Sequence, residues 1–165
     1  MSLPSRKPNR LKGHDYSENG VYFITICVQN KEHILSKITV GEGSPLPKLT
    51  AYGQIADKYI RKINERYPTV FVEKYVVMPN HIHILAEIYN EPFGTGDPSP
   101  TINSVIAWMK YQTAKQINEM RKTHGVRVWQ RSFHDHIVRG QQDYDEIWKY
   151  IDENPLRWES DCFYY

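Results

Sequence analysis

The hydrophobic patterns along this chain predict an α+β fold, an antiparallel sheet with two helices on one face and a further helix near the C-terminus. Runs rich in β-branched and aromatic residues recur at 21–30, 70–78, 81–88 and 129–139. Helical spacing of apolar residues interrupts them at 50–66 and 101–122. A length of 165 residues suits one core rather than two, so residues 1–165 are read as a single domain.

The first strand is VYFITICVQN at 21–30, followed by the turn-rich GEGSPLPK at 41–48. Residues 50–66 place Ile55, Tyr59 and Ile63 at helical spacing, with Thr50 as N-cap and Pro68 as the stop. VFVEKYVVM at 70–78 and HIHILAEI at 81–88 are strands broken by Pro79-Asn80. A loop by composition, 90–100, leads to a helix over 101–122 with Ile102, Val105, Ile106, Met109 and Ile117 near one stripe. WQRSFHDHIVR at 129–139 reads as the last strand, and 140–155 as a short helix stopped by Pro155. The order β-α-β-β-α-β is the ferredoxin-like, RRM-like plan, with the final helix added to it.

With 40% hydrophobic and 24% charged residues, the composition is that of a globular protein. No apolar run approaches the roughly 20 residues that span a bilayer, and MSLPSRKPNR lacks the apolar stretch of a secretory signal. Two cysteines are too few for a disulfide scaffold, and a cytoplasmic location is expected. The net charge of +2 hides an uneven distribution. Residues 1–12 hold four bases and no acid, within a basic arm over 1–14. Residues 101–140 hold seven bases against two acids, and 141–165 two against seven. Such separation suits a protein with one basic face for a polyanion, and equally suits ordinary solvated helix faces.

Side chains two apart on a strand share a face, so His81 and His83 project together while Ile82 and Ile84 enter the core. Two neutral imidazoles at this spacing can bind one divalent cation, with a further ligand from elsewhere. They could also be two polar residues on a solvated sheet face. His134 and His136 obey the same alternation, and spacing does not choose between the pairs.

The neighbouring residues do choose. YVVMPNHIHIL at 75–85 resembles the His-hydrophobic-His signature of single-tyrosine HUH transposases, the IS200-like family. The branch it most resembles is that of the REP-associated tyrosine transposases. VYFITICVQN, VWQRSFHDHIVR at 128–139 and YIDENPLRW at 150–158 continue the resemblance in order over most of residues 15–158.

The resemblance implies a metal-dependent single-stranded DNA endonuclease and strand transferase that works at hairpin-bearing DNA through a covalent 5′-phosphotyrosine. It implies Tyr150 on the last helix as nucleophile and a divalent metal, Mg²⁺ or Mn²⁺, held by His81, His83 and Asn154. Asn154, four residues after Tyr150, lies on the same helix face. Relatives often carry Gln at this offset, so Asn offers a similar but shorter carbonyl. Without the family pattern, Tyr150 with Ile147 and Ile151 reads as a core stripe, and Tyr111 is a rival. His136 is an accessory candidate with no firm role.

The implied partner is single-stranded DNA with hairpins. Arg6, Lys7, Arg10, Lys110, Lys115, Arg121, Lys122, Arg127, Arg131 and Arg139 are the candidate phosphate contacts. Trp108 and Trp129 read as core before they read as base-stacking groups. Relatives include homodimers, some with the tyrosine acting on the partner's histidines, and monomers. Two other classes fit the same fold: a non-catalytic nucleic-acid-binding module, and a metal-dependent nuclease that uses water.

Overall fold

A computed structural model describes residues 13–15, 18–39, 45–91 and 99–163. Its main sheet comprises β1 (Gly20–Cys27), β4 (Val70–Val77), β5 (His81–Ile88) and β6 (His134–Ile137), in the order β4-β5-β1-β6. Every neighbouring pair is antiparallel, the ferredoxin-like arrangement expected from the element order.

Odd and even residues of the two central strands divide the molecule into two layers. Tyr22, Ile24 and Ile26 of β1 and Ile82, Ile84 and Ile88 of β5 pack against α1 (Ala51–Arg61) and α3 (Ile102–Arg121) in the large core. The opposite face presents Phe23 and Leu85 to Ile147 and Ile151 of α4 (Gln141–Glu153), a second and smaller core. The added C-terminal helix therefore covers the face that the first two helices leave open.

Register on β4 depends on a bulge between Val72 and Lys74. Beyond it Val76 stands opposite His83 and joins the second core, while Tyr75 packs on the large one. The same shift aims Lys74 at α4, where its Nζ meets Asp152 Oδ1 at 2.7 Å and covers the Trp148 ring at 4.0 Å.

Three local features differ from the sequence-based expectations. The helix expected over 50–66 divides at Lys62 into α1 and α2 (Ile63–Arg66), although Thr50 caps it as expected by accepting from Gly53 N–H. A small hairpin, β2 (Ser36–Ile38) with β3 (Pro47–Leu49), flanks the turn-rich segment. Its strands of three residues are too short to show a period. The strand expected over 129–139 forms only at 134–137, because the preceding residues serve α3 instead. Trp129 is buried and donates its Nε1–H to Thr113 Oγ1 at 2.8 Å, and Lys110 Nζ donates to the carbonyls of Gln130 and Arg131. Among the described residues, no helix is long and apolar enough to cross a membrane.

Candidate functional site

His81 and His83 lie on the α4 side of β5, and alternation places them there because Ile82 and Ile84 fill the large core. This is not a solvated face. α4 and the segment that follows it bury both imidazoles, leaving them 0% and 1% exposed. Their Nε2 atoms stand 3.1 Å apart.

The outer nitrogens are held by neighbours. His81 Nδ1 meets Asn80 Oδ1 at 2.8 Å, and an amide oxygen can only accept, so Nδ1 carries the proton. His83 Nδ1 meets Thr25 Oγ1 at 2.8 Å, across the β1–β5 pair that sets Thr25 opposite His83. Each imidazole is thereby oriented with Nε2 toward the other, the geometry of two nitrogens converging on one ligand. Burial lowers the pKa of His81 to about 4, against smaller opposing effects from Asp161 and Asn154. Burial, then the neighbouring His81, lowers that of His83 well below the ordinary value. Both rings are neutral at physiological pH and keep a lone pair for a cation.

Asn154 caps the end of α4 and is buried. Its Nδ2 donates to Asp161 Oδ2 at 2.8 Å, which fixes the amide orientation, and its Oδ1 is buried with no hydrogen-bond partner. An orphaned amide oxygen costs free energy unless something accepts its lone pairs. Together with two converging neutral imidazole nitrogens, it is a donor set that a divalent cation fits.

Tyr150 lies one turn before Asn154 on α4. Its ring meets the His83 ring edge-on with centroids 5.2 Å apart, and the Phe23 ring at 5.9 Å. The side chain is not sealed in the core stripe of Ile147 and Ile151, since Tyr150 is 38% exposed. Partial burial raises the phenol pKa to about 12, with the Asp161 carboxylate adding to the rise and Asn154 opposing it. Tyr150 and the histidine pair belong to one chain. The rival, Tyr111, is exposed on α3 and lines a surface cleft with Lys115 and His124.

The competing pair is arranged differently. His134 is exposed, and His136 Nε2 pairs with the Asp143 carboxylate of α4 at 2.8 Å. Asp143 also accepts from Arg139 N–H, so this group anchors the start of α4. Among the described residues, the one metal-competent grouping forms around His81 and His83.

The candidate phosphate contacts are scattered. Lys110 is occupied by backbone carbonyls, the Arg121 guanidinium lies 4.6 Å over the Tyr52 ring, and Arg131 lines a cleft beside Lys110. Arg127 is exposed. Arg6, Lys7 and Arg10 lie outside the described residues. Trp108 packs against the large core, with Tyr59 and Tyr67 edge-on to it.

Sequence reasoning missed Thr25, Asn80 and Asp161. Asn80 stands beside the histidines in MPNHIHIL, so its role was open to inference. Thr25 and Asp161 are remote in sequence, and nothing local marks them.

Comparison with known proteins identifies the family. The family described as "Transposase IS200 like" matches residues 18–154. A Haemophilus influenzae protein of uncharacterised function is 32% identical over 174 residues, covering 96% of this chain and 93% of its own. A second protein from that organism, assigned to the REP-associated tyrosine transposases, is 26% identical over 151 residues, covering 87% and 74%. A solved REP-associated tyrosine transposase bound to a REP hairpin superposes with a TM-score of 0.57 at 19% identity, covering 90% of this chain and 73% of its own. A crystal structure assigned as a transposase from Deinococcus radiodurans superposes at 0.50 with 15% identity, covering 87% and 97%. The two structural likenesses establish the shared fold, and the sequence match over most of the length establishes the family: this chain belongs to the IS200-like transposases, with REP-associated tyrosine transposases among its relatives.

Proposed function

We propose that this transposase is a metal-dependent endonuclease and strand transferase that cleaves hairpin-bearing single-stranded DNA through Tyr150. One observation carries the reading: a half-exposed tyrosine stands against two buried histidines whose Nε2 atoms converge, all within one chain.

The Tyr150 phenol oxygen attacks the scissile phosphorus, and the bond to the 3′ oxygen breaks. The products are a tyrosine ester at the 5′ phosphate and a free 3′ hydroxyl, with the phenol proton lost and one gained by the leaving oxygen. The reverse attack by a 3′ hydroxyl restores a phosphodiester. The number of phosphoester bonds is conserved, so rejoining needs no ATP. A phenol raised to about 12 is a poor nucleophile on its own, which is why the site needs help. A bound divalent cation, Mg²⁺ or Mn²⁺, would polarise the phosphoryl oxygen and stabilise the developing charge. His81 and His83 offer their Nε2 lone pairs and Asn154 its Oδ1 to hold it. Phe23 packs the Tyr150 ring and limits its rotation.

DNA binding rests on the family and on the basic residues of α3 and the segment after it. Lys115, Arg121, Lys122, Arg127, Arg131 and Arg139 are the phosphate contacts, with Lys110 a weaker candidate because carbonyls already occupy its ammonium group. The relative solved with a REP hairpin supports hairpin DNA as the partner.

The protein incubated with hairpin-bearing single-stranded DNA and Mn²⁺ is expected to give a covalent adduct on a denaturing gel, absent for Tyr150→Phe. An adduct that survives Tyr150→Phe means another nucleophile. Cleavage without an adduct in the wild type means water attacks instead.

A further inference from the structure

The segment after α4 folds back over the histidine pair. Trp158 lies 6.0 Å and Phe163 4.6 Å from the His81 ring, centroid to centroid, and the Phe163 carbonyl accepts from Asn80 Nδ2 at 2.6 Å. Between these aromatic residues the Asp161 side chain is carried inward until it is only 3% exposed.

A buried carboxylate is costly without a positive partner. Asp161 Oδ1 accepts from Phe163 N–H at 2.9 Å and Oδ2 from Asn154 Nδ2 at 2.8 Å, both neutral donors. Among the described residues its one ion-pair contact is His81 Nε2, at 4.0 Å. His81 Nε2 also faces that of His83 at 3.1 Å, so the carboxylate and both imidazole nitrogens turn toward one point. One ligand atom each from His81, His83 and Asp161 lies within 4.8 Å of the others, a separation that a single central ion spans.

We propose that Asp161 is a direct protein ligand of the divalent cation, the carboxylate that completes the His81–His83 site, with Asn154 Nδ2 holding it in place. The proposal rests on the metal reading given above and adds a ligand to it. Asp161 lies beyond residue 154, where the family match ends, so the family pattern by itself does not supply this ligand. It has two consequences for the site. A carboxylate neutralises part of the cation's charge in a buried pocket, and it supplies the hard oxygen that favours Mg²⁺ and Mn²⁺ over metals satisfied by imidazole alone. The segment 158–163 is thereby tied to the metal as well as packed on the histidines.

The test is metal binding without DNA or turnover. Full-length protein stripped of metal is titrated with Mn²⁺, the free ion being followed by electron paramagnetic resonance, and with Zn²⁺ in a competition assay. Wild type, His83→Ala, Asp161→Asn and Asp161→Ala are compared, with the melting temperature of each metal-free variant. Loss of the ligand predicts Mn²⁺ affinity lower by about tenfold or more in both Asp161 variants, with a much smaller loss for Zn²⁺. If Asp161→Asn and Asp161→Ala bind Mn²⁺ as wild type while His83→Ala does not, Asp161 is no ligand and the histidine site stands. Equal losses for both metals, with a lowered melting temperature, make Asp161 a structural residue and overturn the proposal. Wild-type binding by His83→Ala removes the metal reading itself.

Discussion

The Nε2 atoms of His81 and His83 face each other at 3.1 Å in a buried pocket, a distance that admits one shared proton or one shared cation but not two protons. Asn80 and Thr25 enforce it by holding the opposite nitrogens. Much of the behaviour expected of this transposase follows from that contact.

Acid should destabilise the metal-free protein in a defined window. Burial depresses the His81 pKa from 6.5 to about 4, so the folded state holds fewer protons than the unfolded chain between these values. The stability is complete above 6.5 and is lost as pH falls toward 4, by up to about 3 kcal/mol from His81 at 1.36 kcal/mol per pH unit. His83 acts in the same direction. Melting temperatures in a metal chelator should therefore fall steeply across this interval in the wild type and less steeply in His81→Gln. Parallel curves would show that His81 does not titrate in this way.

Thr25→Val keeps the strand and the shape but leaves His83 Nδ1 without its partner. Loss of such an orienting bond typically weakens metal affinity by about 10- to 100-fold. Calorimetric titration with Mn²⁺ should show that loss with little change in circular dichroism. Unchanged affinity would mean that packing on Phe23 alone orients the ring.

Ile151→Ala tests how α4 is held. Ile151 is 2% exposed and packs with Ile147 and Leu85 in the small core, so truncation should cost about 2–4 kcal/mol. The large core under α1 and α3 is separate. Hydrogen exchange is expected to speed up first in α4, and with it adduct formation by Tyr150 should fall. Uniform acceleration over the whole sheet would show that the two cores unfold as one.

Gly53→Ala should damage the start of α1. A Cβ at this position would stand 1.9 Å from the Leu35 carbonyl oxygen, closer than any real contact, so backbone must move. A loss of about 1–3 kcal/mol or more is expected from such overpacking. An unaltered denaturant midpoint would mean that the β2 side of the molecule yields freely.

Arg127→Ala and Arg131→Ala should weaken hairpin binding without sequence preference and flatten its salt dependence by about one charge each. Fluorescence anisotropy at several salt concentrations measures both effects. An unchanged slope removes that residue from the interface.

Local patterns were enough to reach the sheet, the two packed helices and two rival histidine pairs, between which the family resemblance chose. Ile82 and Ile84 had to enter a core, and alternation then aimed His81 and His83 the other way whatever else the chain did. Tyr150 was implied by the resemblance to the IS200-like family, and a one-turn offset then set Asn154 on the same helix face. The small hairpin at 36–49 and the break at Lys62 escaped, because three-residue strands and a single turn leave no period to read.

The tertiary structure decided the rest. Only folding could show that the histidine face is roofed by α4 rather than wet, and that His136 is held by Asp143 while His134 stays exposed, so that no rival centre forms among the described residues. It alone brought Thr25, 58 residues from His83, and Asp161, 80 residues from His81, to the same pocket. Such placements depend on strand register and on how the closing segment packs. Those are properties of the whole core, and no short stretch of sequence carries them.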